Sequence, residues 1–258
     1  MDREANIALW QQEEQAPFTG WDFSYLEGRM MEEQPPWSYA TRAAEVLQGT
    51  ASVLDMGTGG GERLLKLREH WPAKVVVTED YPPNVHLAIE RLSPLGVRVE
   101  VVELTRASAL PFDDAEFDLV LNRHSGFNPA EVARILSPGG VFLTQQIDGL
   151  WAHDLMAVFG AEPQWPDETL ANCVAWVKDA GLTIITSEEW TGRFTFTDVG
   201  AIVYYLKAVP WIVPGFSVAT HLDSLLALQA RLEKETGQPE VALSFAAKKF
   251  LIEAQKPT

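Results

Sequence analysis

Short apolar runs alternate with amphipathic stretches through the middle of the chain. Helical periodicity, with apolar residues three or four positions apart, is found in the stretches between the runs. Strands that alternate with helices are typical of a mostly parallel sheet with helices on both faces, the doubly wound α/β class. The runs that predict strands lie at 51–57, 74–80, 97–104, 117–124 and 141–147. Helices are predicted at 37–47, 61–71 and 84–96, and the stretch 129–140 predicts a helix followed by a glycine turn at Gly139 and Gly140.

The pattern after residue 147 is less regular but adds two strands. A helix is predicted at 168–182, and strands are predicted at 183–196 and 243–256. Two further helices, at 198–211 and 221–237, lie between those strands in the sequence. The whole pattern therefore predicts a seven-stranded sheet with a helical insertion at about 198–237. Residues 1–36 are polar with scattered aromatic residues, and we expect them to form a separate cover segment before a main domain at 37–258.

Composition narrows the range of partners. The chain has 258 residues and a formal net charge of −16, which repels the phosphate backbone and makes a nucleic acid an unfavourable substrate. The single cysteine, Cys173, cannot form an internal disulfide, which fits a reducing compartment. The first residues lack the apolar core of a signal peptide, and no apolar run is long enough to span a bilayer. We therefore expect a cytoplasmic protein without membrane contact, and without a metal because no Cys/His cluster occurs.

The stretch SVLDMGTGGGERLLKL, residues 52–67, places an acid and three alternating glycines between a predicted strand and a predicted helix. Glycine permits a tight turn and close approach of the backbone to a ligand. The third glycine comes one position too early for a dinucleotide-binding loop, G-x-G-x-x-G, which would have its third glycine where Glu62 stands. A phosphate-binding P-loop would need Gly-Lys-Ser/Thr, which is absent here. The loop therefore departs from both nucleotide motifs.

The order acid-x-Gly-x-Gly-x-Gly, from Asp55 to Gly61, resembles the first motif of the class I S-adenosylmethionine-dependent methyltransferases, in particular those of type 11. Three later stretches resemble further motifs of that family: VVVTEDYPPNVHLA, LPFDDAEFDLVLN and LSPGGVFLTQQ. The resemblance covers residues 52–147, over a third of the chain. It implies the Rossmann-like methyltransferase fold, S-adenosylmethionine as cofactor and methyl transfer as activity.

The resemblance also implies positions for the cofactor. The loop would hold its methionine end with Asp55, Gly57, Thr58, Gly59 and Gly61. Glu79, or its neighbour Asp80, would accept hydrogen bonds from the ribose hydroxyls. The family often has an acid before LPF that meets the adenine amino group, but Arg106 occupies that place here. Ala107, Ser108 or a backbone carbonyl would then contact the adenine, and Asn122 is a further candidate at the end of the fourth strand.

Candidate residues for the acceptor follow the fourth strand. Methyltransferases that act on amino groups of nucleic acid bases and of some proteins carry Asn/Asp-Pro-Pro-aromatic there, whereas this chain has NRHSGF. His124 could act as a general base, because its ordinary pKa of about 6.5 lies near neutral pH, or it could only bind a loop or the cofactor. Arg123 could pair with an acidic substrate or form a structural ion pair.

The two terminal regions offer candidate walls for an acceptor pocket. Tyr204, Tyr205, Trp211 and Phe216 in the insertion could line it, or they could be ordinary core residues. Arg29 could reach the carboxylate of the cofactor, or it could form a salt bridge. We expect the insertion to act as a substrate lid.

The leading hypothesis is methyl transfer to a small molecule at O, N or C. The alternatives are an RNA base methyltransferase, which would need a local basic groove, and a non-catalytic protein that binds S-adenosylmethionine. A nicotinamide oxidoreductase is a competitor at the level of the fold, and the spacing at Gly61 and Glu62 disfavours it.

Overall fold

A computed structural model of the protein describes residues 3–18, 22–235 and 243–258. The predictions that concern residues 1–2, 19–21 and 236–237, at the edges of the predicted cover segment and of the insertion, lie outside the described residues. The strands are β1 (Met30–Glu32), β2 (Ser52–Met56), β3 (Lys74–Glu79), β4 (Arg98–Val101), β5 (Phe117–Arg123), β6 (Leu136–Ile147), β7 (Thr183–Phe196) and β8 (Leu243–Gln255). The helices are α1 (Arg3–Gln15), α2 (Tyr39–Leu47), α3 (Glu62–Lys66), α4 (Pro82–Leu92), α5 (Pro129–Ile135), α6 (His153–Val158), α7 (Leu170–Asp179), α8 (Val199–Ala208) and α9 (Leu222–Glu235).

The chain divides into two compact units. The larger unit comprises Pro36–Asp148, Asp167–Trp190 and Lys249–Thr258. The smaller unit comprises Met1–Pro35, Gly149–Pro166 and Thr191–Lys248. Each long strand, β7 and β8, contributes one part to each unit.

The sheet of the larger unit has the order β7-β8-β6-β5-β2-β3-β4. The pairs β5–β6, β2–β5, β2–β3 and β3–β4 are parallel, and β6–β8 is antiparallel. Successive residues of a strand point to opposite faces, so Val53 and Leu54 enter two different buried clusters. Both residues are fully buried, which explains why the middle of the chain reads as short, continuous apolar runs. The doubly wound α/β class with a mostly parallel sheet that the sequence predicts is confirmed.

The sheet differs from the predicted one in the number of strands. Eight strands occur among the described residues, because Met30–Glu32 pairs antiparallel with β7, with Met30 opposite Phe196 and Glu32 opposite Phe194. Three residues cannot show an alternating pattern, so the sequence did not indicate this strand. The predicted count of seven is therefore wrong by one.

Some predicted boundaries also shift. β6 begins at Leu136 rather than at 141, because Leu136 already pairs with Phe117 ahead of an irregular register. The predicted glycine turn at Gly139 and Gly140 is thus part of the strand segment. The predicted third strand shortens to Arg98–Val101.

The smaller unit is built around aromatic side chains. Tyr204 stacks on Tyr25 with ring centroids 4.4 Å apart, and Tyr205 contacts Phe196 at 5.4 Å. Tyr204 and Tyr205 are both buried in this cluster. They therefore lie in the aromatic core of the smaller unit, which agrees with the alternative that they are ordinary core residues.

Arg29 is likewise engaged inside the smaller unit. Its guanidinium donates two hydrogen bonds to the carboxylate of Asp198, at 2.9 and 2.6 Å, and pairs with Glu13 at 2.9 Å. These contacts correspond to the salt bridge that the sequence analysis considered. In the part of the chain that the structure describes, no helix is long and apolar enough to cross a membrane.

Candidate functional site

The glycine loop follows β2 directly and depends on glycine at two positions. Gly57, Gly59 and Gly61 have φ of +68°, +65° and +83°, a left-handed conformation that other residues rarely adopt. A Cβ on Gly57 would lie 2.6 Å from the side chain of Ser125, and one on Gly61 would lie 2.9 Å from that of Leu92. Conformation and space together therefore require glycine at both of these positions.

Hydrogen bonds fasten the loop to the neighbouring strand β3. The backbone N–H of Thr58 donates to the carbonyl of Thr78 at 3.0 Å, and that of Gly57 donates to the Thr78 hydroxyl at 3.3 Å. The N–H of Gly59 donates to Oε2 of Glu79 at 2.7 Å. Because β2 and β3 are parallel neighbours, the loop and the end of β3 meet at the same edge of the sheet.

The structure distinguishes the two adjacent acids at the end of β3. Glu79 is buried, and its Oε1 accepts the backbone N–H groups of Asp80 at 3.2 Å and of Tyr81 at 3.0 Å. Asp80 is exposed. Glu79 is thus the acid that lies fixed against the glycine loop.

Asp55 forms the other acidic group of this edge. Burial raises the pKa of Asp55 to about 6, and the nearby carboxylate of Glu79 acts in the same direction. Thr58 and the guanidinium of Arg123 oppose that rise. The two carboxyl groups and the loop form one acidic edge at the ends of β2 and β3.

Tyr39 also belongs to this region, although the sequence analysis did not name it. Its hydroxyl oxygen is buried. Burial, and next the carboxyl group of Asp55, raise the pKa of Tyr39 well above its ordinary value. Its position at the first turn of α2 gave no signal beyond a helix that packs on the sheet.

The segment expected to contact adenine is ordered by internal contacts. The Arg106 guanidinium lies 3.4 Å from the ring centroid of Trp176 and forms an ion pair with Glu168. Ala107 is exposed. The hydroxyl of Ser108 accepts the N–H of Thr105 at 2.9 Å. Arg106 thus serves a contact within the larger unit, which gives a physical reason for its departure from the family pattern.

Asn122, at the end of β5, is fully buried. Its Oδ1 accepts a hydrogen bond from the Thr144 hydroxyl at 2.9 Å and another from Nε2 of Gln146. Its amide nitrogen lies 3.5 Å from the carbonyl of Gly126. Asn122 therefore ties β5 to β6 and to the loop that follows β5.

His124 follows β5 with φ of +56°, in the left-handed region. Its backbone N–H donates to the carbonyl of Gln145 at 2.9 Å, and its Nε2 lies 2.9 Å from Nε2 of the same glutamine. Burial lowers the pKa of His124 well below its ordinary value, and the cations Arg123, Lys249 and Arg63 lower it further. His124 is accordingly neutral near pH 7.

The larger unit thus brings together Asp55, the glycine loop and Glu79, with Arg123 near Asp55. Within the described ranges, no group of three or more His, Cys, Asp or Glu residues is arranged to hold a metal ion.

Comparison with known proteins agrees with this geometry. The family model described as "Methyltransferase domain" matches residues 53–140. A demethylmenaquinone methyltransferase from Thermus thermophilus is 35% identical over 96 residues, which are 34% of this chain and 43% of that protein. A release factor glutamine methyltransferase from Mycolicibacterium smegmatis is 30% identical over 177 residues, 61% of this chain and 56% of that protein. The chain spans about half the length of these curated relatives.

Solved structures support the fold. The BH2331 protein from Bacillus halodurans C-125 superposes with a TM-score of 0.60 at 18% identity, covering 86% of this chain and 100% of that one. The segment that matches the family model, residues 53–140, contains the glycine loop, Glu79 and His124. Residues 53–140 therefore match a methyltransferase domain, and the comparisons together indicate a class I S-adenosylmethionine-dependent methyltransferase.

Proposed function

We propose that this protein binds S-adenosylmethionine at the glycine loop and transfers its methyl group to a small molecule. The observation that carries the proposal is the acidic edge formed by Asp55 and Glu79 around the loop, with Gly59 bound to Glu79 at 2.7 Å. The ammonium group and the ribose hydroxyls of this cofactor are hydrogen-bond donors, which carboxylates accept. The pyrophosphate of a dinucleotide would instead lie against Asp55 at the loop and be repelled when that carboxyl group is ionised.

The family's cofactor fits the residues present. Asp55 and the backbone of Gly57, Thr58, Gly59 and Gly61 would hold the methionine end, and Glu79 would hold the ribose. No side-chain atom crowds the position of a Cβ on Gly59, whose nearest neighbour would be Glu62 at 3.9 Å. The Ala107–Ser108 segment would contact the adenine.

When bound, the cofactor supplies an electrophilic methyl group on a sulfonium. The residues of the chain must then align the acceptor atom at roughly 3 to 3.5 Å from the methyl carbon, in line with the bond that breaks. They must also exclude water. Arg123 ends β5 and His124 follows it, beside the glycine loop that follows the neighbouring strand β2. These are the two side chains that we expect to face the acceptor.

A small-molecule acceptor agrees with the net charge of −16, which disfavours a polyanionic substrate. It also agrees with the two relatives, from Thermus thermophilus and Deinococcus radiodurans, that are named as demethylmenaquinone methyltransferases. The relatives named for a release factor and for ribosomal protein L11 make a protein acceptor the second candidate.

Transfer of a labelled methyl group tests this proposal. The protein would be incubated with S-adenosylmethionine that carries a radioactive methyl group, separately with a panel of phenols and amines, with total RNA and with a protein extract. We expect label in the small-molecule panel, and none with the Asp55→Ala variant. Label that enters only RNA or only protein would contradict a small-molecule acceptor.

A further inference from the structure

Three side chains of the larger unit form a hydrogen-bonded series that ends on His124. The indole Nε1–H of Trp37 donates to Oε1 of Gln145 at 2.9 Å, and Nε2 of Gln145 lies 2.9 Å from Nε2 of His124. Trp37 packs against a buried cluster of the sheet, and Gln145 is itself buried in β6. The series is therefore held by the buried Gln145 in β6 and by the packing of Trp37 on the sheet.

The chemistry of the three groups fixes the position of the imidazole proton. An indole N–H can only donate, so the oxygen of the Gln145 amide must face Trp37 and its NH2 group must face His124. Because the NH2 group also only donates, Nε2 of His124 must accept and carries no proton. The proton of the neutral ring then lies on Nδ1. Among the described residues, Nδ1 has no hydrogen-bond partner, so it can donate to a ligand.

We propose that Trp37 and Gln145 are positioning residues that hold His124 as a neutral imidazole with a proton on Nδ1, so that His124 meets the methyl acceptor as a hydrogen-bond donor and not as a base. Its one basic nitrogen is occupied by Gln145, and its other nitrogen already carries a proton. Protonation of Nε2 would place two N–H groups against each other. Arg123 from β5, Lys249 from β8 and Arg63 from α3 also oppose a positive charge on the ring.

This arrangement selects a class of acceptor, a step that rests on the proposed function. An N–H donor favours an oxygen that arrives as an anion, such as that of a phenol or an enol, because hydrogen bonds to ionised acceptors are the stronger ones. In the transfer, an electron pair of the anionic oxygen forms the bond to the methyl carbon. The carbon–sulfur bond breaks at the same time, and the electron pair of that bond goes to the sulfur. No proton has to be removed within the site. Attack by a neutral amine would instead leave a positive charge on the acceptor, which an N–H donor cannot stabilise.

Nitrogen NMR tests the positioning without any acceptor. Long-range proton–nitrogen correlation spectra of the ¹⁵N-labelled protein would be recorded between pH 6 and 8, and the His124→Asn variant would identify the His124 signals. Asparagine tolerates the left-handed backbone of this position. We expect Nε2 to show the shift of an unprotonated nitrogen and Nδ1 that of a protonated one. The opposite tautomer, or an imidazolium at pH 7, would overturn the proposal.

Two variants and one control sharpen this experiment. Gln145→Glu offers His124 a carboxylate that accepts from Nε2–H, so we expect the tautomer to invert and the pKa of His124 to rise. Trp37→Phe removes the donor that orients the amide, so we expect a mixture of tautomers. Trp71→Phe is the control, because Trp71 packs on the same cluster but its indole donates to the carbonyl of Leu64 at 3.0 Å. Unchanged His124 signals in Trp37→Phe and Gln145→Glu would contradict the positioning role.

The labelled-methyl assay tests the acceptor class separately. We expect label in phenols rather than in amines, and a pH profile that moves with the acidity of the phenol used. Label in amines alone, or a pH profile that stays fixed across phenols and disappears in His124→Asn, would overturn the donor role. Failure of all transfer, together with the expected NMR tautomer, would refute the proposed function and the acceptor class but leave the positioning intact.

Discussion

The backbone N–H of Gly59 donates a 2.7 Å hydrogen bond to the carboxylate of Glu79, twenty residues further along the chain. This contact joins the turn after β2 to the end of β3. The same carboxylate accepts the N–H groups of Asp80 and Tyr81, so one acid orders both loops that we expect to surround the cofactor. Glu79 therefore orders the two loops and also supplies one of the two carboxyl groups of the site.

Removal of the charge at Glu79 should weaken the cofactor without unfolding the protein. Hydrogen bonds to a charged group contribute about 1.5 to 3 kcal/mol, so Glu79→Gln should lower the affinity for S-adenosylhomocysteine by about 10- to 100-fold. Calorimetric titration measures the change. The control is Glu69→Gln, whose side chain is 80% exposed and should leave the affinity unchanged. Equal affinities for wild type and Glu79→Gln would contradict a role in binding.

A methyl group at Gly61 should destabilise the fold more than one at Gly96. Both glycines are left-handed, with φ of +83° and +85°, but only the Cβ on Gly61 would clash, at 2.9 Å from buried Leu92. The backbone cost of about 1 to 2 kcal/mol should be common to both alanine variants. Overpacking should add about 1 to 3 kcal/mol for Gly61→Ala alone. Urea denaturation gives both values, and equal losses would show that Leu92 moves aside freely.

Asp55 should impose a pH dependence on stability. Its pKa is raised from 3.8 to about 6 in the folded protein, chiefly by burial, so the folded state binds the proton more tightly than the unfolded state does. The contribution of Asp55 to the free energy of unfolding is therefore largest below pH 4 and is lost as the pH rises through about 6. The loss should be about 1 to 3 kcal/mol.

Comparison with Asp55→Asn isolates this effect, because all other carboxyl groups are shared. We expect the variant to be more stable than wild type at pH 7.5, with the difference shrinking towards pH 4.5, and to bind S-adenosylhomocysteine weakly at both pH values. Parallel curves of stability against pH would show that Asp55 ionises normally.

Arg106 should matter for stability and not for the cofactor. Its guanidinium stacks on Trp176 at 3.4 Å and pairs with Glu168. A cation–π contact and a partly exposed ion pair together contribute about 1 to 2 kcal/mol, so Arg106→Ala should lower the free energy of unfolding by that amount. The affinity for S-adenosylmethionine should stay the same. A large loss of affinity with unchanged stability would assign Arg106 to the adenine site instead.

The sequence predicted most of the larger unit because its strands are buried on both faces. Burial on both faces requires apolar side chains at every strand position, as at Val53, Leu54, Val76 and Val77. The left-handed backbone and the close neighbours at 57 and 61 require glycine there. The short strand at Met30–Glu32 carries no such constraint. This difference in burial explains why the strands of the larger unit were predicted and the strand at Met30–Glu32 was not.

Contacts between distant residues explain what sequence reasoning missed at the site. Trp37 and Gln145 are separated by 108 positions, and no sequence motif around either residue indicates that the two are hydrogen-bonded. The stacking of Arg106 on Trp176 likewise joins two segments that have no common pattern. The sequence could therefore predict which side chains end the strands, but not which hydrogen bonds orient them.

Titration calorimetry with S-adenosylmethionine, S-adenosylhomocysteine and NAD tests the central claim most directly. The acidic edge at Asp55 and Glu79 predicts saturable binding of both adenosyl ligands and none of NAD, with the adenosyl binding strongly reduced in Glu79→Gln. Binding of NAD, or no binding of either adenosyl ligand to the folded protein, would contradict the claim that the glycine loop holds a methyl donor.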